Sequence, residues 1–314
     1  MSILTFLLYF KFMAQLPEFP EFRPVCLSDK EPLEEAFRAF QPEISELTFT
    51  NLFMFRHVHD YQLSRHSGNI IIFAKSYSNQ PYFMPPVGDS DIPRVLGDLF
   101  DFLKKSGEKP VMELAWKGLI DKYIAGDDNY SYELDEDGSD YVYKTHDLVN
   151  LAGRKYHDKK NLRNRFVRTY RHEYKTLTDD MIPDAKDLVQ RWCQEKCSCD
   201  IPSTFGETEA TMLALDYFDH LSIKGGAVFV DGKIEAIALG EELNKDTAVV
   251  HVEKANSEYS GLYQYISSRF LAHEFPDYKY VNREQDLGEP NLKKSKQSYN
   301  PIKMIDKYRV WPKG

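Results

Sequence analysis

Apolar and polar positions along the chain fall into two recurring rhythms, alternation typical of strands and a three- and four-residue spacing typical of helices, and the segments follow one another in the same order twice. Phe22–Phe37 (FRPVCLSDKEPLEEAF) and Tyr174–Val189 (YKTLTDDMIPDAKDLV) each offer an aromatic residue, a cation, a short strand, an acidic N-cap region and an amphipathic helix. Tyr61–Ala74 (YQLSRHSGNIIIFA) is two alternating runs around Ser-Gly-Asn, and Gly226–Gly240 (GAVFVDGKIEAIALG) is two runs around Asp231-Gly232, a strong hairpin signal. Strand-then-helix units come next, Tyr82–Pro85 before Ile92–Lys105 and Ala248–Glu253 before Tyr259–Glu274. Val111–Leu114 and Lys279–Val281 then predict one further strand in each half, each followed by a helical segment and a last strand pair or tail.

Each half therefore reads β-α, β-hairpin, β-α, β-α, β. That order matches a mixed α/β sheet of the GNAT N-acyltransferase type, so the predicted fold is two tandem GNAT-like domains. The predicted boundaries are 13–150 for the first and 151–314 for the second, with the acidic turn Asp135–Asp140 and the basic stretch after Gly153 at the join. Residues 1–12 read as an extension, because Ile3–Phe10 is an isolated apolar run without a basic flank or cleavage site, and it is far short of the roughly twenty residues a bilayer needs. Met13 is the more natural beginning.

With 314 residues, 42% hydrophobic and 28% charged, the composition is that of a globular protein large enough for two cores. A net charge of −9 argues against a general nucleic-acid coat protein, so any anion site has to be local. Cys26, Cys193, Cys197 and Cys199 are too few and too lopsided to staple the chain, and a reducing cytoplasm is the default compartment. No cofactor or metal is expected to be tightly bound. The spacing C-x3-C-x-C from Cys193 lacks the second cysteine pair of a structural zinc site, and His57, His59 and His66 have no partner at ligand spacing. The sequence has no G-x-S-x-G, H-E-x-x-H or G-x-G-x-x-G, which removes serine hydrolase, zincin and dinucleotide readings.

One local anion site stands out. Gly153–His172 (GRKYHDKKNLRNRFVRTYRH) gathers eight Lys and Arg and one acid in twenty positions. As a helix, Leu162, Phe166 and Tyr170 form a narrow apolar stripe, while Arg163, Arg165, Arg168 and Arg171 spread around the rest. Arginine suits bidentate grips on phosphate, and the bland alternative is a solvated helix neutralised by nearby acids such as Asp158 and Glu173. The second dense segment is Tyr280–Pro301 (YVNREQDLGEPNLKKSKQSYNP), where Arg283, Glu284 and Asp286 follow a strand at the end where open α/β sheets bind ligands. Pro290 suits a first helical position, with Lys293, Lys294 and Lys296 near a helix start that would cradle phosphate. The bland alternative here is a buried pair of Arg283 with Glu284 or Asp286 that locks a turn.

Asp140–Tyr170 together with Asn282–Tyr308 resembles the family typified by the C-terminal catalytic domain of phosphatidylglycerol lysyltransferases. The motifs that carry the resemblance are G-R-K-Y-x-x-K-(K/R)-N and R-E-x-D-x-G followed by K-x-S-Y-x-P. The resemblance implies tandem GNAT-like domains and aminoacyl transfer from aminoacyl-tRNA. By motif match it places Lys155, Lys159, Lys160 and Asn161 in the basic signature, and Arg283, Glu284, Asp286, Lys296 and Tyr299 in the tail signature. The chain has no membrane-spanning segment, so a lipid acceptor is not implied, although peripheral lipid contact stays open.

The combined expectation is an acyl or aminoacyl transferase whose donor, aminoacyl-tRNA or acyl-CoA, is held by its phosphates on Arg154, Lys155, Lys159, Lys160, Asn161, Arg163, Arg165, Arg168, Lys293, Lys294 and Lys296. The donor carbonyl would lie where two central strands splay, at Ala248–Glu253 in the second half, with a free backbone N–H stabilising the oxyanion. Glu253 or Glu284 would serve as general base and Tyr299 as proton donor to the leaving group, with Arg283, Asp286 and Gly261 shaping the site. The loop before Tyr259–Glu274 has only Gly261, whereas a pyrophosphate-binding turn is richer in glycine, which leaves the donor open. Two rivals remain at this level: an ordinary acetyl-CoA-dependent acetyltransferase, and a non-catalytic RNA- or partner-binding module.

Overall fold

The computed structural model describes residues 12–13, 15–196 and 202–313. The chain divides into two compact units, one of Met1–Asp140 with Ile305–Gly314 and the other of Tyr141–Met304. In chain order the strands are β1 (Arg23–Pro24), β2 (Gln62–His66), β3 (Asn69–Lys75), β4 (Pro81–Phe83), β5 (Met112–Trp116), β6 (Tyr130–Leu134), β7 (Asp140–Lys144), β8 (His172–Thr176), β9 (Lys224–Val230), β10 (Lys233–Asn244), β11 (Thr247–Ala255), β12 (Tyr280–Asn282), β13 (Lys303–Ile305) and β14 (Lys307–Pro312).

They form two seven-stranded sheets, ordered β1-β2-β3-β4-β5-β14-β6 and β8-β9-β10-β11-β12-β7-β13. In both, the first four strands pair antiparallel, the fourth and fifth pair parallel, and the fifth and sixth antiparallel again. The sixth position departs from the expected boundaries, because each sheet takes that strand from the other half of the sequence. β14 lies in the first sheet and β7 in the second, so the units part at 140/141 and 304/305 rather than at 150/151. The hydrogen-bonding of β14 to β5 on one edge and β6 on the other fixes this assignment.

The two predicted hairpins turn on two residues at positive φ, Ser67 (49°) with Gly68 (81°) and Asp231 (49°) with Gly232 (87°), the type I′ pattern that matches strand twist. The first core forms where the helix Ile92–Lys105 buries Ile92, Val95, Leu96, Leu99, Phe100 and Leu103, a three- and four-residue stripe, against Ile71, Phe83 and Met112. The second forms where the helix Leu262–Glu274 buries Leu262, Ile266, Phe270 and Leu271 on a floor of Val228, Ala236, Ala238 and Ala248, whose small side chains let it approach. A helix over Pro202–Asp216 was not foreseen from the sequence. Residues 1–11 of the predicted extension lie outside the described residues, whereas Phe12 and Met13 are both buried, so the packed part includes a residue before the expected start.

Candidate active site

The site is built by two strands that part. β11 and β12 pair in parallel only at Thr247–Tyr280, Ala248–Val281 and Val249–Asn282. Beyond that, β11 stays with β10 as far as Ala255, while Arg283 N donates to Tyr141 O (2.9 Å) and Tyr141 N to Glu284 O (3.2 Å), drawing the other chain along β7. The opening is at the carboxyl ends of parallel strands, where open α/β sheets take ligands. A β-bulge sharpens it: Leu239 faces Val252 and Gly240 faces Val250, leaving His251 as the extra residue. Gly240 is required there, since a Cβ would stand 2.4 Å from Val249 O.

Two charged bridges span the opening. His251, its side chain only 1% exposed, lies between Glu284 (Nδ1 to Oε1, 2.7 Å) and Glu241 (Nε2 to Oε1, 2.9 Å). Burial works against its charge, but the hydrogen bonds to Glu241 and Glu284 prevail and push its pKa up to about 10. Both ring nitrogens then donate, and the imidazolium holds the two carboxylates. Arg283 donates to Glu253 (2.8 Å) and lies 5.2 Å and 5.9 Å from the ring centres of Tyr299 and Tyr143. The partner of Arg283 is thus Glu253, neither of the two acids the sequence offered for a turn-locking pair.

The tail motif folds onto this frame. Glu284 takes a left-handed conformation (φ 57°), held by its N–H on Asn282 Oδ1 at 2.8 Å. Asp286, fully buried, accepts from Tyr141 Oη (2.5 Å) and Gly288 N (2.9 Å), so its role is to shape the turn. Tyr299 is buried, and burial raises its pKa against the opposing charge of Arg283, which keeps the hydroxyl protonated at neutral pH.

The basic segment splits into two groups. On the helix His157–Thr169, Phe166 is buried against Tyr265 (5.1 Å) while Leu162 and Tyr170 are half-buried, so the predicted stripe does dock. Arg154, Lys160, Asn161, Arg165 and Arg168 are exposed, Arg168 with its Nε on Asn164 O one turn back at 3.2 Å. The others are committed: Lys155 to Asp147 (3.1 Å), Arg163 to Val149 O (2.8 Å), and Lys159, half-buried, over the Tyr299 ring at 4.6 Å. Burial and the charge of Arg283 lower the pKa of Lys159. On the tail helix Pro290–Gln297, whose first residue is the expected proline, Lys294 is exposed and Lys293 half-buried. Lys296 points inward instead of toward a phosphate, donating to the carbonyls of Arg283 (2.5 Å) and Gln285 (2.6 Å). It serves as an internal cap on the site turn.

Gly261 begins the helix Leu262–Glu274 at φ 92°, and a Cβ there would stand 2.0 Å from Leu162 O. The basic helix therefore lies backbone-to-backbone on that helix start. His251 and Glu241 were missed from sequence, although a polar residue interrupting the apolar run Ala248–Val252 of a central strand was a readable signal. Among the described residues no cluster of His, Cys, Asp or Glu suits a metal ion, Cys193 is buried, and Cys197 and Cys199 lie outside the described residues.

The family model described as phosphatidylglycerol lysyltransferase, C-terminal, matches residues 37–311. A crystal structure of a conserved protein of unknown function from Bacteroides thetaiotaomicron is 31% identical, with a TM-score of 0.84 over 93% of this chain and 99% of that one. The structure of L-PGS from Bacillus licheniformis is similar in fold at 14% identity, with a TM-score of 0.61 over 95% of this chain and 93% of that one. An uncharacterised protein of Mycoplasmoides gallisepticum is 24% identical over 178 residues, 56% of this chain; the chain spans only 57% of the length of that relative. The architecture is that of tandem GNAT-like proteins. No helix of the described residues is long and apolar enough to cross a membrane.

Proposed function

The chain belongs to the family of phosphatidylglycerol lysyltransferase C-terminal domains, GNAT-like acyl- or aminoacyltransferases, and from that premise we propose that it moves an aminoacyl group from aminoacyl-tRNA to an amine or hydroxyl acceptor. The choice of donor rests on one observation. A coenzyme A pyrophosphate needs open backbone N–H groups at the start of the helix after the splayed strand, and the basic helix packs closely against that start, with the carbonyl of Leu162 where a Cβ of Gly261 would stand. The exposed cations Arg154, Lys160, Arg165 and Arg168 lie on the same basic segment and suit a longer phosphate chain, with Lys294 a further candidate.

In this reading the ester carbonyl of the donor enters where β11 and β12 part. The acceptor nitrogen or oxygen attacks it, the new bond to the carbonyl carbon forms, and the bond to the ribose oxygen breaks. Glu253 or Glu284, held by Arg283 and His251, takes the acceptor's proton, and the Tyr299 hydroxyl protonates the departing ribose oxygen. Lys159 and Arg283 against the Tyr299 ring stabilise the phenolate that this leaves until it is reprotonated.

The test is a binding and turnover comparison of aminoacyl-tRNA with acetyl-CoA. Aminoacyl-tRNA should bind with a log–log salt slope of several units. Changing Arg165 and Arg168 together to Gln should reduce that slope by about two without lowering the melting temperature. Of Glu253→Gln and Glu284→Gln, the one that removes the base should slow transfer by about a hundredfold or more while tRNA affinity holds. Saturable binding of coenzyme A with no tRNA affinity would overturn the choice of donor, and full transfer by both Gln variants would overturn the catalytic roles.

A further inference from the structure

The first unit has its own parting of parallel strands, and a cleft lies there. β4 and β5 pair only at Phe83–Met112. Past Phe83 the chain keeps to β3, with Met84 N on Ile72 O (3.0 Å) and Val87 bridged to Ile70, so it drifts away from β5. The cleft that opens at these carboxyl ends measures about 380 Å³, within the range of small-molecule pockets.

Its walls are largely apolar, and its charged lining residues are Glu43, Asp89 and Lys122. Ile44, Leu47, Ile92 and Leu119, all buried, supply aliphatic surface. Phe40 and Trp116 meet edge to face at 5.2 Å, and Gly118 leaves the Trp116 ring bare, since a Cβ there would come within 3.3 Å of it. Asp89 arrives from the end of β4 and Lys122, whose Nζ stands 4.8 Å from the centre of the Tyr123 ring, from beyond the end of β5. Both are exposed, and they come from different segments of the chain.

The Asp89 loop is held in place. Asn69, fully buried, donates to Ser90 O (2.7 Å) and accepts from Ser90 N (3.1 Å). Gly88 makes this possible, because at φ 140° a Cβ would stand 2.3 Å from Asn69 Oδ1. A carboxylate on an anchored loop and an ammonium at the same cleft, beside an aromatic and aliphatic lining, make a complement for a molecule with the opposite arrangement.

We propose that this cleft is a second ligand site, specific for a free α-amino acid with a large apolar side chain. The ligand ammonium meets Asp89, its carboxylate meets Lys122, and its side chain lies against Trp116 and Phe40. The site stands apart from the proposed transfer reaction and does not depend on it.

Calorimetric titration of the full chain with L-leucine, L-phenylalanine and L-tryptophan tests this, with N-acetyl-L-phenylalanine and L-phenylalanine amide as probes that each remove one charge. At least one free amino acid should bind with a Kd below about 10 mM, and both blocked forms should bind about tenfold more weakly. Asp89→Asn and Lys122→Gln, both at exposed positions, should each weaken binding about fivefold and leave the melting temperature in place. Gly118→Val, which fills the space over Trp116, should abolish it. No binding by any of the three amino acids, equal binding of the blocked forms, or unchanged affinity in both charge variants would each overturn the proposal.

Discussion

His251 is the residue on which the second-unit site turns, and its charge makes a measurable statement about pH. Its pKa rises from the usual 6.5 to about 10 on folding, so protonation favours the folded state. The stabilisation is whole below pH 6.5 and is lost as pH climbs through 10, on the order of a few kcal/mol. Urea unfolding of the wild type and of His251→Gln at pH 6 and pH 10.5 isolates this, because other groups titrate alike in both chains. The gap in stability between them should shrink markedly at the higher pH, and a constant gap would show an imidazole that is neutral throughout. At this scale the sequence was partly legible. Glu253, Arg283, Glu284 and Asp286 could be named because they follow strands, and Tyr299 through the tail motif of the family resemblance; the five do assemble in the second unit. Glu241 and His251 could not be joined, since their meeting depends on a bulge that places His251 opposite the junction of Leu239 and Gly240.

Elements were legible where the code is local. Asp231-Gly232 and Ser67-Gly68 announce type I′ hairpins because few residue pairs accept positive φ twice. The docking of the basic helix had no such mark, and Gly261 read as a poor pyrophosphate turn when its actual task is close approach. Two glycines separate these causes. Gly232 has φ 87° and open space around it, so Gly232→Ala should cost about 1 kcal/mol of backbone strain. Gly261 has φ 92° and also meets Leu162 O at 2.0 Å, so Gly261→Ala should cost clearly more and lift the basic helix. Hydrogen exchange would record the second effect as lost protection along His157–Thr169, while Gly232→Ala leaves that helix protected. Equal effects of the two substitutions would mean that the helix does not rest on Gly261.

At the scale of the whole molecule, what the sequence concealed was the exchange of β7 and β14. Antiparallel pairing between segments far apart in sequence leaves no periodic trace, so the end of the second half reads as a last strand pair or tail of that half, with nothing to show that β14 runs between β5 and β6. The charge that anchors β14 is legible only in three dimensions. Lys307, fully buried, donates to Glu46 (2.6 Å) and Asp140 (2.6 Å), and Asp140 also accepts from Ser45 N (2.8 Å) and Ser45 Oγ (3.1 Å). One buried ammonium faces two carboxylates, and burial pushes the pKa of Glu46 from 4.5 up to about 7, against the attraction of Lys307. An acid whose pKa is raised by folding holds its proton more firmly in the folded state, so the contribution of Glu46 to stability should fall as pH rises from 4.5 through 7, by about 3 kcal/mol. Glu46→Gln cannot ionise, and its stability relative to the wild type should therefore improve across that interval and level off above it. Lys307→Met strips the shared cation and should cost about 3–5 kcal/mol, seen as lost exchange protection in β2–β5 with β9–β12 unchanged. Loss of protection spread evenly over both sheets would instead mean that the two units unfold as one, and that β14 ties the whole chain together.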